Sequence, residues 1–369
     1  MTIRIETQQK DRDRLRQVML DGEAVSWLWV LDMRMRLLGE PIRMAGIGGV
    51  NTKEEHRMKG YARRLLSDTV RYMTDEGFDV SMLFGIPNLY DKFGYAPCLP
   101  EHRATIATRD AERAREAARG YSVRPLTEKD IPLVVRLHNE ANRGRAGSLI
   151  RDAGRFHGFR LGSDWRRQAQ ASAVEDGDGR AVGYLVWDKS DTDVKAVEAE
   201  AGDPRAYAAI LAELARLAVE KRCEEAELCL PADHPLMVFA RRYGCRCHAS
   251  YNRMSGGMMR ILNQQGLFEK LGPALEGRLQ DSALAGRRVR LRLETDLGVT
   301  RLLLNPDGKS ESRVALKAPQ DRLMQLVVGY RPLADLLTED GVEAGGPAIE
   351  VTEALFGGQS PYVLASDRF

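Results

Sequence analysis

The sequence predicts an α/β protein of more than one domain. A chain of 369 residues is too long for one ordinary hydrophobic core, and the usual domain sizes suggest two or three units. The order strand, glycine-bearing turn, helix, strand occurs in residues 27–86, and a similar order restarts near Tyr121. From about Met258 a third part mixes helices with strands. We therefore expect two mixed, twisted sheets flanked by helices, followed by an α+β unit.

The first unit begins with a predicted β-hairpin. Residues 27–38 are rich in β-forming side chains, and a turn at 39–41 leads into a second strand at 42–50. A helix ending at Gly77 follows, and its inner face is indicated by side chains at three- and four-residue spacing, namely Ala62, Leu65, Leu66, Thr69, Val70 and Met73. The apolar run 78–86 predicts a buried strand, which completes a βαβ crossover.

The second and third units carry further alternating elements. In the second we predict a strand at 121–125, a helix opened by Thr127, strands at 181–187 and 193–198, a helix at 206–221, a strand at 227–230 and a helix at 235–243. In the third we predict a helix at 258–279, strands at 289–294, 300–304 and 313–317, and helices at 321–328 and 332–337. We divide the chain into domains 1–119, 120–257 and 258–369, with the charged segment 110–119 as a linker helix or a solvated face.

Composition and charge exclude several classes of protein. The 55 basic residues face 53 acidic ones, so the net charge of +2 is not that of a nucleic-acid-binding protein. No apolar stretch approaches the ~20 residues that span a bilayer. The charged N-terminal segment lacks the apolar region of a secretory signal, so we expect a cytoplasmic protein without a membrane span.

In a cytoplasmic protein of this length, we expect the five cysteines to be free thiols rather than disulfides. A group of potential zinc ligands nevertheless lies close together in the sequence, namely Cys223, Cys229, Cys245, Cys247 and His248. The two-residue spacing of Cys245 and Cys247 does not fit a zinc knuckle. We therefore predict no metal site.

The segment between the second strand and the first helix contains the pattern Arg57-x-x-Gly60-x-Ala62. The first turn of a helix offers free backbone N–H groups and the positive end of the helix dipole, which suit a diphosphate. Arg57 and Lys59 add positive charge, Gly60 permits a close approach of the backbone, and the small Ala62 leaves room. The residues alone also fit a surface helix start with solvated charges.

This segment resembles the acetyl-CoA motif R/Q-x-x-G-x-G/A of the GNAT acetyltransferases, and the strands and helix around it resemble their βαβ core. The resemblance implies that acetyl-CoA is the acetyl donor. It implies a pyrophosphate site formed by Arg57, Met58, Lys59, Gly60, Tyr61 and Ala62. It further implies that backbone N–H groups of Val50 and Thr52 hold the acetyl carbonyl and the pantetheine, and that a neutral amine attacks the thioester directly. Cys98 is the alternative nucleophile for a ping-pong route, although no base is identifiable near it in the sequence.

A second motif, Tyr90-x-x-Phe93-Gly94-Tyr95, follows the βαβ unit. Aromatic side chains in such a segment usually pack in the core, but a phenol at a strand end can also protonate or hydrogen-bond a departing thiolate. The motif resembles the Y-x-x-F-G-Y segment of the enhanced intracellular survival (Eis) family. That resemblance implies that Tyr90 is the general acid.

The resemblance to the Eis family extends over nearly the whole chain. It implies tandem GNAT folds followed by a sterol-carrier-protein-like α+β domain, and a homo-oligomer such as a hexamer. The second GNAT-like domain lacks a working CoA site in that family, and the matching segment 200–205 here is acidic where a diphosphate needs donors. The chain's terminal carboxylate, here that of Phe369, would be the base that takes the amine proton. The alternative for Phe369 is a frayed terminus.

The acceptor is expected to be an amine-bearing small molecule or peptide. A full GNAT domain begins with a strand and two helices that form one lip of the acceptor site, whereas about 25 residues precede the first clear strand here. Acceptor specificity is therefore not implied by the resemblance. Trp27, Trp29 and Met33 are possible lining residues, with sheet or core packing as their alternative role. The alternative function is a non-catalytic protein that senses acetyl-CoA or binds lipid.

Overall fold

The computed structural model describes residues 2–369. Its strands are β1 (Ile3–Lys10), β2 (Asp13–Leu20), β3 (Glu23–Leu37), β4 (Glu40–Thr52), β5 (Val80–Gly85), β6 (Ala96–Leu99), β7 (Glu101–Ala107), β8 (Ser122–Pro125), β9 (Ala169–Glu175), β10 (Ala181–Asp188), β11 (Lys195–Ala201), β12 (Glu225–Leu228), β13 (Arg246–Ser250), β14 (Gly256–Ile261), β15 (Arg287–Thr295), β16 (Gly298–Leu304), β17 (Ser310–Lys317) and β18 (Glu343–Gly345). Its helices are α1 (Tyr61–Asp75), α2 (Thr108–Ala111), α3 (Ala114–Ala117), α4 (Ile131–Ala141), α5 (Ala206–Glu220), α6 (Pro235–Ala240), α7 (Gln264–Gln280), α8 (Gln320–Val327), α9 (Leu333–Leu336) and α10 (Ala348–Phe356).

The first unit is built on a mixed sheet with the strand order β1-β2-β3-β4-β5-β14-β6. β4 and β5 are parallel and α1 connects them, so the predicted βαβ crossover is confirmed. α1 buries Leu65, Leu66 and Met73 against one face of the sheet, as the helical spacing predicts. The sequence analysis missed β1 and β2, because their exposed positions carry long polar side chains and only the alternate residues Val18 and Leu20 are buried apolar ones.

The second unit repeats this arrangement with the strand order β13-β7-β12-β11-β10-β9-β8. β11 and β12 are parallel and flank α5, which confirms the predicted second strand, helix, strand order. The charged segment 110–119 takes part in the short helices α2 and α3. Ala111 and Ala114 of these helices are buried in the core of the second unit. The fold is therefore a tandem one, with two seven-stranded mixed sheets flanked by helices.

Strands are exchanged across both predicted domain limits. β7 precedes residue 119 but lies in the second sheet between β12 and β13, and β14 lies in the first sheet between β5 and β6. The prediction of a helix from Met258 is wrong for residues 258–261, because these residues pair with β5 and β6 as a central strand before α7 begins. The division into domains 1–119, 120–257 and 258–369 stays a proposal.

The third unit has a four-stranded sheet with the order β16-β15-β17-β18, in which β15 and β17 are parallel. Its core is continuous with the face of the first sheet that α1 does not cover, through buried residues such as Met35, Met44, Met82, Phe268, Leu291 and Phe356. The third unit therefore packs directly on the first. Among the helices of residues 2–369, none has the length and apolar character needed to cross a membrane.

The exchange of strands predicts which fragments of the chain fold. We expect residues 1–119 alone to show no cooperative thermal unfolding, because β5 and β6 lose β14 between them and β7 loses both of its neighbours. Residues 101–250 hold every strand of the second sheet and are the control, which we expect to unfold cooperatively. Calorimetry of both fragments checks this, and a cooperative transition for residues 1–119 would contradict it.

Candidate active site

The site is organised around the point where β4 and β5 separate. The two strands pair only from Met44 with Val80 to Ile47 with Leu83, although β4 continues to Thr52 and β5 to Gly85. The register between β3 and β4 shifts at the same level, where Gly49 has φ of +58°. Such a bulge bends the strand away from its neighbour. A gap therefore opens at the carboxyl ends of two parallel strands, where open α/β sheets bind ligands.

The loop with the diphosphate pattern connects this gap to α1. A short helical turn at Glu54–His56 follows β4, Met58 is fully exposed with φ of +61°, and Gly60 has φ of +82° at the N-cap of α1. Arg57, Lys59 and Gly60 are exposed, whereas Tyr61 and Ala62 are half-buried. Among the described residues, no side chain caps the first turn of α1. The predicted pyrophosphate residues thus lie together on one exposed loop and helix start.

The two predicted backbone donors of β4 lie beyond its pairing with β5. Val50 is half-buried and packs against the core under α1. The N–H of Thr52 donates to Asn51 Oδ1 at 2.8 Å, and the side-chain Nε of Arg57 donates to the carbonyl of Thr52 at 3.4 Å. A ligand that uses the Thr52 N–H must therefore displace the Asn51 side chain.

Two tyrosines of the aromatic motif occupy different environments. The Tyr95 hydroxyl is buried and donates to Ser81 Oγ at 2.7 Å, and Ser81 in turn donates to the carbonyl of Ala45 at 2.8 Å. The hydroxyl of Tyr90 makes no hydrogen bond to any other described residue, although its ring packs edge-on against Tyr95. Burial raises the pKa of Tyr90 above its ordinary value, so the phenol stays protonated at neutral pH. Tyr90 is therefore the tyrosine that can donate to a ligand.

The chain ends on the opposite face of the same strands. A Cβ at Gly46 would lie 2.7 Å from Cε2 of Phe369, and one at Gly48 would lie 3.4 Å from the terminal carboxyl carbon. The Phe369 ring packs edge-on against Phe84 with 5.7 Å between the ring centroids. Glycines on β4 thus leave the space that the terminal residue fills, and the terminus is packed rather than frayed.

Tyr90 and Phe369 approach the gap from its two sides. Gly46 and Phe84 face Phe369, whereas a Cβ at Gly85 would lie 2.7 Å from Cδ2 of Tyr90. Because successive side chains of a strand point to opposite faces, Tyr90 lies on the face of α1 and Phe369 on the face of the third unit. A group held between the ends of β4 and β5 would have a phenol on one side and a carboxylate on the other.

A cleft opens beside Asp367, two residues before the end of the chain. It has a volume of about 1070 Å³ and is lined by Leu31 and Met33 of β3, by residues 149–152 and by Asp367. Met33 was a predicted lining residue, and the half-buried Trp27 and Trp29 lie on the same face of β3. Carboxylates and guanidinium groups both line the cleft, among them Asp13, Asp32, Arg12 and Arg34. The cleft can therefore receive a polar molecule next to the chain terminus.

The alternative nucleophile Cys98 is excluded by its surroundings. Cys98 is completely buried in the core between the first and third units. Burial raises the pKa of its thiol far above the ordinary value, so the thiolate that a ping-pong route requires does not form. Cys245 and Cys247 lie at the sheet edge with 3.8 Å between their sulfur atoms, and within residues 2–369 no three potential metal ligands converge.

The equivalent position of the second unit differs from the first. Residues 200–205 connect β11 to α5, as β4 is connected to α1. Glu200 is buried, and its side chain accepts a hydrogen bond from Asn142 at 3.0 Å. A buried carboxylate at this strand end opposes an anionic ligand. The prediction that the second unit does not bind CoA rests on this chemistry and stays a prediction.

Comparisons with known proteins agree with this geometry. Residues 3–98 match the family model described as the acetyltransferase (GNAT) domain. These residues, which include the gap and the loop before α1, therefore resemble a GNAT acetyltransferase domain, and the match supports an acetyltransferase enzyme. No curated protein sequence matches the chain.

Solved structures match the fold over almost the full length. A GCN5-related N-acetyltransferase from Kribbella flavida has 21% identity and a TM-score of 0.70 over 96% of this chain and 87% of its own. A conserved protein of unknown function from Enterococcus faecalis, described as a probable N-acyltransferase, has 14% identity and a TM-score of 0.75 over 100% of both chains. Eis1 from Mycobacterium abscessus has 15% identity and a TM-score of 0.62 over 96% of this chain and 90% of its own. At these identities the likeness concerns the fold.

Several residues of the site were missed by the sequence analysis. Gly46 and Gly48 carry no chemistry of their own, and their role depends on a residue more than 300 positions away. The signal that could have found them is the run Gly46-Ile47-Gly48-Gly49, because glycine is unfavourable inside a strand unless something approaches closely. Arg151 and Asp367 were also missed, and their contact depends entirely on the tertiary fold.

The contrast between the two tyrosines predicts different effects of removing each hydroxyl. We expect Tyr95→Phe to lower the free energy of unfolding by about 0.5–1.5 kcal/mol, because the buried hydrogen bond to Ser81 is lost. Tyr90→Phe is the matched control and should change it by less than ~0.5 kcal/mol. Urea denaturation measures both, and equal stabilities of the two variants would contradict the assignment of hydrogen bonds.

Proposed function

We propose that the chain is an N-acetyltransferase that moves an acetyl group from acetyl-CoA to a primary amine by direct attack. The observation that carries this proposal is the pair of groups at the gap between β4 and β5, with the protonated Tyr90 on one side and the Phe369 carboxylate on the other. The GNAT-domain match of residues 3–98 supports acyl transfer in general. The identity of the donor as acetyl-CoA and of the acceptor as a primary amine goes beyond that match and is part of our proposal.

In this mechanism the donor lies along the gap and the loop. Arg57, Lys59 and the free N–H groups at the start of α1 bind the pyrophosphate, with Gly60 allowing close approach. The backbone of β4 at Val50 and Thr52 binds the pantetheine and the acetyl carbonyl. These assignments follow the predicted site residues, and the exposure of Arg57, Lys59 and Gly60 on the loop before α1 supports them.

The acceptor enters beside the chain terminus. An alkyl ammonium must lose a proton before its nitrogen is nucleophilic, and the Phe369 carboxylate accepts that proton or relays it to water. With an ordinary pKa of roughly 3.5 this carboxylate is a weak base. Its contribution to catalysis therefore comes from its position next to the amine and not from its basicity. The cleft lined by Leu31, Met33 and Asp367 supports an acceptor bound on this side.

The transfer then proceeds without an acyl-enzyme. The neutral amine attacks the thioester carbon, and the new C–N bond forms as the carbonyl oxygen gains negative charge. The intermediate collapses with cleavage of the C–S bond, while the nitrogen, which gained positive charge in the attack, releases a proton to water. The Tyr90 hydroxyl donates its hydrogen bond or its proton to the departing sulfur, and a phenol that gives up its proton regains one from water. The burial of Cys98 supports direct attack over a ping-pong route.

The remaining parts of the proposal concern the whole chain. We propose an Eis-like organisation with domains 1–119, 120–257 and 258–369, in which the third is sterol-carrier-protein-like. We also propose a cytoplasmic homo-oligomer such as a hexamer. The full-length likeness in fold to Eis1 from Mycobacterium abscessus is the supporting observation for the organisation.

The role of the terminal carboxylate is tested by moving it. We expect both deletion of Phe369 and addition of one alanine after Phe369 to lower kcat by about 100-fold, because a shift of the carboxylate breaks its placement at the amine. The measurement is CoA-thiol release from acetyl-CoA with aminoglycosides, polyamines and lysine peptides as acceptors. Acetyl-CoA affinity serves as the control and should stay unchanged.

The outcomes of that assay separate enzyme from sensor. Thiol release that depends on one class of amine and collapses when the carboxylate moves supports the proposal and identifies the acceptor class. Binding of acetyl-CoA without thiol release for any amine would instead indicate the acetyl-CoA sensor.

The role of Tyr90 is tested by removing its hydroxyl. We expect Tyr90→Phe to lower kcat by about 100-fold without a change in acetyl-CoA affinity, because only the departing sulfur needs the donor. Tyr95→Phe is the matched control and should keep kcat within about threefold, since its hydroxyl bonds to Ser81. Full activity of Tyr90→Phe would show that the assigned acid is wrong even if the enzyme class is right.

A further inference from the structure

The last residues of the chain follow a defined path across all three units. After the third unit, the backbone N–H of Tyr362 donates to the carbonyl of Ala146 at 3.0 Å, and its hydroxyl donates to the carbonyl of Cys229 at 3.0 Å. Both acceptors belong to the second unit. Tyr362 and Leu364 are buried in the core of that unit, and Phe369 then lies on β4 of the first. We call residues 360–369 the tail.

A buried ion cluster holds the tail two residues before its end. Arg151 donates to Asp367 Oδ1 from Nε at 2.9 Å, and its two terminal nitrogens donate to the two carboxylate oxygens of Glu198 at 2.6 and 2.7 Å. The side chains of Arg151, Glu198 and Asp367 are only 3%, 0% and 8% exposed. Ser366 also donates to Glu198. The cluster thus joins the tail to β11 of the second unit.

Asp367 is not needed to neutralise the second unit. Glu198 alone already gives Arg151 a bidentate partner of opposite charge, and Tyr184 donates to the same carboxylate at 2.5 Å. Asp367 adds a second buried carboxylate to this neutral pair, with His138 Nε2 3.5 Å from its other oxygen. Burying a surplus carboxylate is unfavourable unless it makes strong hydrogen bonds. The contact therefore serves the tail rather than the core of the second unit.

The anchor leaves the terminal residue little freedom. Two extended residues span at most ~7 Å, so Phe369 must lie close to Asp367. Arg368 is extended between them, and its guanidinium lies 5.0 Å from the centre of the Phe84 ring. On the same face of the sheet, the Phe369 ring lies over the backbone of Gly46 and packs against the Phe84 ring.

We propose that Arg151 and Asp367 are positioning residues that fix the Phe369 carboxylate over β4. This inference rests on the proposed role of that carboxylate as the base. Neither residue touches the reacting atoms in this assignment. The second unit thereby supports catalysis in the first by anchoring the tail.

The test is the full-length variant Asp367→Ala, which leaves the Arg151–Glu198 pair intact. We expect kcat to fall by about 10- to 100-fold with acetyl-CoA affinity unchanged, because the carboxylate is misplaced while the donor site is untouched. Asp130→Ala is the matched control, since Asp130 accepts two hydrogen bonds from Arg124 at 2.7 and 2.8 Å in the same unit and lies far from the tail in sequence. It should change stability without lowering kcat.

Release of Phe369 by carboxypeptidase A reports the anchor independently of activity. We expect it to be faster in Asp367→Ala than in wild type and unchanged in Asp130→Ala. We also expect the double variant, which carries Asp367→Ala and lacks Phe369, to have about the same kcat as the variant that only lacks Phe369, because both changes act through one carboxylate. Additive losses of kcat, or an unchanged rate of Phe369 release, would overturn the proposal.

The two proposals fail in distinguishable ways. If deletion of Phe369 lowers kcat but Asp367→Ala does not, the positioning role is wrong and the base role stands. If deletion of Phe369 leaves kcat unchanged, the base role is wrong, and faster release of Phe369 from Asp367→Ala would then report only how the tail is held.

Discussion

The short pairing of β4 with β5 is the constraint on which the site depends. Only residues 44–47 of β4 pair with residues 80–83 of β5, and the strands then separate around the bulge at Gly49. The unpaired backbone of β4 leads directly into the exposed loop and the start of α1. Had the pairing continued, neither side of the sheet could reach a ligand held between the strand ends. A local break in the sheet thus creates a gap accessible from both faces.

The two faces of that gap are filled by different parts of the chain. On one side, the core under α1 includes Tyr90 and Tyr95. The Tyr95 hydroxyl bonds to Ser81, whereas the Tyr90 hydroxyl has no hydrogen-bond partner among residues 2–369. On the other side Phe369 lies where Gly46 and Gly48 lack side chains. The phenol of Tyr90 and the terminal carboxylate are therefore separated by the sheet itself. A phenol and a carboxylate kept apart in this way do not form a hydrogen bond with each other in place of the ligand.

Sequence reasoning predicted the parts of this arrangement that have a local cause. The βαβ unit follows from helical spacing and an apolar strand, and the loop at Arg57 to Ala62 follows from charge, glycine and position before a helix. The placement of β14 could not be predicted in this way, because a short segment such as Gly256–Ile261 fits a strand or a helix equally well until its neighbours are known. β1 and β2 were missed because their sequences are largely polar and only Val18 and Leu20 are buried apolar residues.

Contacts between distant segments could not be predicted from local pattern. The separation of β4 from β5, the position of Phe369 on Gly46, and the contact of Arg151 with Asp367 all depend on the tertiary fold. The terminal residue entered the sequence analysis only through a family resemblance. A carboxylate at a chain end has no sequence motif of its own, since every chain has one.

The equivalent strands β4 and β11 of the two units differ in sequence and in their contacts, and the tail packs against both of them. β4 and β11 each lie parallel to the next strand across a helix, which makes them counterparts in the tandem fold. β4 carries glycines where the tail ends, whereas β11 carries Glu198, whose buried charge binds Arg151 and Ser366 where the tail passes. A buried carboxylate is incompatible with an anionic ligand but suits a fixed anchor. The buried charge of β11 thus suits the second unit to holding the tail, and the position of the terminal carboxylate in the first unit depends on the whole tandem fold.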